Sequence, residues 1–154
     1  MKKRRIKPAE RGSILLIAMV FLLILTLLGA MVVQAVNVDI EVAGAEYHSE
    51  NALFIAEAGL QWGRHKIDTE YTVGGAIDYT ALFAGLVVAS EAPFNGWYIL
   101  AEQPYVEGQF KLYVKDDDFA EGGADANNTI YLRSLGIASG GAKRLLEVVI
   151  SEAP

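Results

Sequence analysis

The chain contains no cysteine, so neither disulfides nor thiolate metal sites are available to it. Its two histidines, His48 and His65, have no metal-ligand spacing, and His48 beside Glu46 and Ser49 reads as part of a surface cluster. No glycine-rich nucleotide loop, nucleophile elbow or paired-acid motif is present, so an enzyme is not expected. Proline is absent between Pro8 and Pro93, which removes the commonest helix breaker from more than half the chain. Basic residues are scarce beyond residue 12. Residues 1–12 carry six (Lys2, Lys3, Arg4, Arg5, Lys7, Arg11) against Glu10, a net +5. Residues 13–154 carry 7 basic and 18 acidic residues, a net −11, which brings the total to −6. An acidic body argues against nucleic-acid binding, which needs cationic contacts to phosphates.

What is present begins with the longest apolar run. After Gly12 and Ser13, residues Ile14 to Val33 are apolar except for Thr26 and Gly29. About 20 such residues suffice to cross a bilayer as a helix. The basic flank predicts that the N-terminus stays in the cytoplasm and the acidic remainder faces outward. The flank could also touch anionic lipid headgroups. Three kinds of N-terminus fit a basic start followed by an apolar core. A secretory signal peptide has a core of roughly 7–15 residues followed by small residues, and Ala30 to Ala35 is the nearest such cut site. A plain anchor is the second. The third is a short basic leader ending at Gly12, cut on the cytoplasmic side, with the apolar helix retained.

Beyond the run, Gln34 to Ile67 is expected to continue as an amphipathic helix. Ile40, Ala43, Tyr47, Asn51, Phe54, Ala58 and Trp62 recur at helical spacing, and Tyr47, Phe54 and Trp62 are expected to be core. Gly29, Gly44, Gly59 and Gly63 fall inside this helix and mark either close packing or places where it can bend or melt. Thr69 to Asn95 is less regular, with an apolar stretch, Ala81 to Ala89, readable as helix or strand. From residue 96 the pattern turns β-like. Four strands are expected at Trp97–Ala101, Gln109–Lys115, Thr129–Gly136 and Arg144–Ile150, with Phe110, Leu112 and Val114 on one face. Short connections favour an antiparallel meander. The predicted fold class is α+β, with one long N-terminal helix, half transmembrane and half amphipathic, packed on a four-stranded antiparallel sheet. The expected divisions are 1–12 leader, 13–33 membrane or filament-core helix, and 34–154 outward globular domain, comprising helix 34–67 and sheet 96–151.

The block Glu10-Arg11-Gly12-Ser13-Ile14-Leu15-Leu16-Ile17, continuing apolar to Gly29, resembles the N-terminus of type IV pilins, and more closely PilX-type minor pilins. Asn51-Ala52-Leu53-Phe54-Ile55-Ala56-Glu57-Ala58-Gly59-Leu60 strengthens the resemblance, which covers about residues 8–65. The resemblance implies cleavage by a prepilin peptidase after Gly12, leaving Ser13 as an N-methylated terminus. It implies that Ile17, Phe21 and Gly29 lie on the subunit-packing helix. Its implied partners are other minor pilins, the major pilin, the inner-membrane assembly platform and, before assembly, inner-membrane lipid. The implied location is the inner membrane by a single pass, then the extracellular pilus. Most pilins carry glutamate at the fifth mature position, where it is thought to pair with a neighbour's terminal ammonium; here that position is Ile17. A subunit without that carboxylate fits best at the tip, in pilus priming. The alternatives are a pseudopilin of type II secretion, which shares the absence in its large tip subunit, and an uncleaved single-pass protein with an outward ligand-binding domain. Aromatics exposed on the sheet could serve adhesion.

One segment has the composition of a ligand site. Lys115 to Asn128 packs acidic residues and two asparagines into a glycine-containing strand connection. Hard cations such as Ca²⁺ take such oxygens, which makes Asp116, Asp118, Glu121, Asp125 and Asn127 candidate ligands. The spacing does not match an EF-hand, because Ala120 and Glu121 fall where a ligand and glycine are needed. A solvated acidic turn is the other reading, and no other cofactor is implied.

Overall fold

The computed structural model describes residues 8–117 and 129–151. Helix α1 runs from Pro8 to Lys66. Arg64, His65 and Lys66 occupy the last turn, where cations complement the exposed carbonyls. A π-turn, Ile67–Tyr71, follows. Next come β1 (Thr72–Val73), β2 (Ala76–Ile77), α2 (Tyr79–Phe83), β3 (Val87–Val88), β4 (Tyr98–Tyr105), β5 (Gly108–Asp116), β6 (Thr129–Ala138) and β7 (Lys143–Ser151). The chain falls into two compact units, the first ending at Gly44 and the second beginning at Ala45.

The second unit is α+β, with the outer part of α1 packed on an antiparallel sheet in the order β3-β4-β5-β6-β7. The meander is as expected, except that there are five strands where four were predicted. The fifth, β3, is two residues long, too short to leave an alternating pattern. The stretch Ala81 to Ala89 contributes to both α2 and β3, so neither single reading of it was complete. Asp78 caps α2, accepting a hydrogen bond from the Ala81 amide at 2.9 Å.

Strand β6 alternates without exception between half-buried and buried residues. Its buried set, Ile130, Leu132, Ser134, Gly136 and Ala138, faces the helix together with Phe110, Leu112 and Val114 of β5. The helix answers with Ala52, Ile55, Ala56, Gly59 and Gly63, and the π-turn adds Ile67, all buried. This stripe lies one residue on from the predicted one and corrects it. Tyr47 is 55% exposed and Phe54 is 60% exposed, so neither is core. Trp62 is half-buried beside the stripe, its ring 5.9 Å from that of Phe110.

Close approach is the reason the small face wins. A Cβ placed on Gly136 would fall on the Ala52 carbonyl oxygen and lie 2.6 Å from the Ala56 nitrogen. One placed on Gly59 would overlap Ser134 Oγ and lie 3.0 Å from Phe110 Cγ. Helix backbone therefore rests almost directly on strand backbone, and an aromatic stripe would hold the two apart. For Gly59, close packing is the correct reading of the two.

The opposite face of the sheet carries a second small core. Ala89, Phe94 and Trp97, from the segment leading into β4, fold onto Tyr113, with Ile99, Tyr131 and Leu135 around them. Phe94 and Tyr113 stack nearly parallel at 4.0 Å. The Arg133 guanidinium lies 4.0 Å from the Trp97 ring centroid.

Gly59→Ala is expected to destabilise the chain by about 1–2 kcal/mol, because overpacking outweighs the roughly 1 kcal/mol helix propensity that alanine adds. Ser134 is fully buried and its hydroxyl has no hydrogen-bond partner among the described residues. Ser134→Ala is therefore expected to stabilise by about 1 kcal/mol. Denaturant unfolding of the detergent-solubilised chain measures both, and opposite signs are the signature.

Candidate functional site

The first unit presents a helix surface with nothing packed on it. From Ile14 to Val38 no residue carries a charge. The segment reaches a mean hydropathy of 3.0, and none of that window is buried within the chain. It is long and apolar enough to cross a membrane. Ile17 is 59% exposed and Phe21 64% exposed. A Cβ on Gly29 would meet nothing within 4 Å. Thr26 donates its hydroxyl to the Leu22 carbonyl, so its one polar group is satisfied without water. Gly12 and Ser13 lie in the first turns of the same helix. The residues predicted for processing and subunit packing are thus strung along one helix, and α1 brings no other element of its own unit against them. Apolar surface of this extent requires lipid or other chains to cover it.

The predicted calcium ligands fare differently. Asp116 ends β5. Asp118, Glu121, Asp125 and Asn127 lie outside the described residues. Among the described residues no group of three or more His, Asp or Glu side chains is arranged to hold a metal ion. His48 is not a simple surface residue. It is half-buried, its ring meets Tyr47 edge-on at 5.6 Å, and a Cβ on Gly140 would overlap it.

Two surface features of the second unit were not legible from the sequence. Tyr47, Asn51 and Phe54 of α1 and Tyr105, Val106 and Glu107 of the β4–β5 hairpin line a groove of about 270 Å³. Tyr47 Oη and Asn51 Nδ2 both donate to Glu107 Oε2, at 3.2 and 2.8 Å. Val106 at the hairpin tip is 91% exposed. A wider groove of about 520 Å³ lies on the outer face of the sheet, between Glu91, Phe94, Lys111, Tyr113, Lys143 and Leu145. The signal for the first was the register of helix on sheet and for the second the folding of 91–94 over the outer face, neither of which a local pattern contains.

Residues 11–61 match the family model described as PilX N-terminal, about a third of the chain and all of it on α1. No curated protein and no solved structure matches the chain. The family match supports a PilX-type type IV pilin, a structural component of a pilus. It spans both the apolar run and most of the small-residue stripe that docks on the sheet.

Two groups in the wider groove titrate above their ordinary values. Lys111 donates to Glu102 Oε1 at 2.8 Å, and this bond, opposed by partial burial, raises its pKa from 10.5. Burial disfavours the phenolate of Tyr113 and raises its pKa from 10.0. Both shifts act in one direction. The lysine's contribution is fully present below 10.5 and is lost as pH rises through its folded value. The unfolded phenol ionises first, so stability also falls as pH passes 10.0. Folding stability is therefore expected to decline as pH rises past 10.0, and Glu102→Gln to flatten the decline. Denaturant unfolding on either side of that pH reads it; an unchanged slope in the variant would contradict the assignment.

Proposed function

We propose that this PilX-type pilin is a minor subunit of a type IV pilus that primes assembly and occupies the tip. Residues 1–12 are the leader, a prepilin peptidase cuts after Gly12, and Ser13 becomes the N-methylated terminus. The apolar helix from Ile14 holds the subunit in the inner membrane before assembly and packs among other pilins afterwards. Its partners are then the other minor pilins, the major pilin and the membrane assembly platform.

The observation that carries the reading is a helix that is apolar, uncharged from Ile14 to Val38 and uncovered by its own unit, with Ile17 at the fifth position after Gly12. An ammonium placed among apolar helices needs a partner charge. Ile17 cannot supply one to a neighbour's terminus, and at the tip no neighbour asks for it. The side chain is well exposed, so its identity is not dictated by packing within the chain.

Mass spectrometry of the protein purified from its native membrane is expected to show an N-terminus at Ser13 with one added methyl. An intact Met1 would favour an uncleaved membrane protein. Immunogold labelling is expected at one end of sheared filaments, and Ile17→Glu is expected to spread the label along the shaft. Uniform labelling of the unaltered protein would overturn the tip location while leaving the cleavage result standing.

A further inference from the structure

The two edges of the main sheet are built differently. At one edge β3 has two residues; at the other β7 has nine, Lys143–Ser151. Among the described residues β7 has a strand neighbour on its β6 side only. Its pairing with β6 runs unbroken from Lys143 opposite Ile137 to Ser151 opposite Thr129, with no bulge. No proline interrupts it. Every second residue of such a strand points its backbone N–H and C=O away from the ladder, a template for a further strand. Exposed edges are ordinarily blunted by shortness, proline, bulges or charge. β3 is blunted by shortness. β7 has only charge, confined to Lys143, Arg144 and Glu147, and 148–151 carries none. Its outer-face side chains Leu145 and Val149 are 42% and 49% exposed.

We propose that β7 pairs edge to edge with β7 of a second copy of this chain, antiparallel, with Leu145 on the two-fold axis. The charges select both the occupant and the register. Pairing over the full strand would centre on Glu147 and set it against its own copy, an opposition that destabilises antiparallel pairs. Centring on Leu145 pairs residues 143–147 of the two copies, leaving 148–151 outside the pairing, and sets Lys143 opposite Glu147 twice by symmetry, with Leu145 against Leu145 between them. All three lie on the outer face, where Glu147 is already paired with Arg133 on β6. Each junction then reads Arg133, Glu147, Lys143 across three strands, alternating in sign. The opposite edge is β3, which covers only Tyr98 and Ile99, and the rest of β4, which is broken by the bulge between Ile99 and Ala101 and by Pro104; it is a poor acceptor for β7, which favours a closed pair over an open chain of copies. This pairing does not depend on the pilus reading.

The absence of cysteine makes the test clean, because a single introduced thiol can only pair with its own copy. Opposed Cα atoms in an antiparallel pair are about 4.5–5.5 Å apart, within reach of a disulfide. The full chain carrying Leu145→Cys, in detergent micelles under mild oxidation, is expected to give a covalent dimer. Val149→Cys, similarly exposed on the same face, is expected to give about tenfold less, because it has no self-opposed partner in this register. Lys143→Glu added to Leu145→Cys removes both cross-strand attractions and is expected to lower the dimer yield about tenfold. Lys143 is exposed and outside the core, and unchanged circular dichroism would confirm that the fold is intact. Equal yields from the two cysteines, or no effect of Lys143→Glu on a folded chain, would overturn the proposal.

Discussion

The second unit depends on one constraint: α1 must come within backbone distance of β6. Gly136 leaves room for the Ala52 carbonyl and the Ala56 amide, and Gly59 leaves room for Ser134 and Phe110. The rest follows from that contact. With the helix so low on the sheet, Leu112, Val114, Ile130 and Leu132 are completely sealed, with Ile55, Ile67 and Leu82 of α2 in the same buried cluster. The larger side chains are displaced to the flanks, where Trp62 covers the edge of Phe110 and Phe54 is left in solvent. A glycine inside a helix costs about 1 kcal/mol relative to alanine. Here that cost is offset by dispersion and apolar burial over a whole helix–sheet interface.

The same contact explains what the sequence could and could not reveal. Strands β5 to β7 were legible because their side chains alternate against a single buried face, and the period is visible locally. The helix was legible because nothing breaks it. Its buried stripe was not, because periodicity reasoning rewards large apolar residues, whereas the docking face between Ile55 and Ile67 is alanine and glycine. Tyr47 and Phe54 are the cost of that bias. They recur at helical spacing, yet they line an open groove with Glu107 at its rim. β3 escaped because two residues cannot show a period. The candidate site was legible in the opposite sense. The apolar run announces itself by composition, and the fold adds that its own unit leaves it uncovered.

The helix carries two incompatible surfaces in series, and the family match of residues 11–61 spans both. In the first unit large apolar residues point outward all round, suited to a solvent that is itself apolar. In the second, one face is small and closely fitted, and the other is charged with Glu46, Glu50, Glu57 and Arg64. The second surface accepts one partner, because Gly136 and Gly59 fit only each other's surroundings.

That division bears on Ile17. A carboxylate in an apolar helix in lipid costs about 2.5–3.5 kcal/mol at the helix centre, and less at position 17 near the start of the run, unless a cation meets it. Under the proposed reading, a subunit carrying one gains by meeting the terminal ammonium of a neighbour. With isoleucine that gain is gone: the helix is satisfied in the bilayer, and it is equally satisfied among other apolar helices. Such a subunit gains nothing from joining beneath a neighbour and loses nothing by standing first. Under the proposed reading, the missing charge thus makes the chain suited to beginning a filament, because its membrane helix imposes no electrostatic requirement on what lies ahead of it.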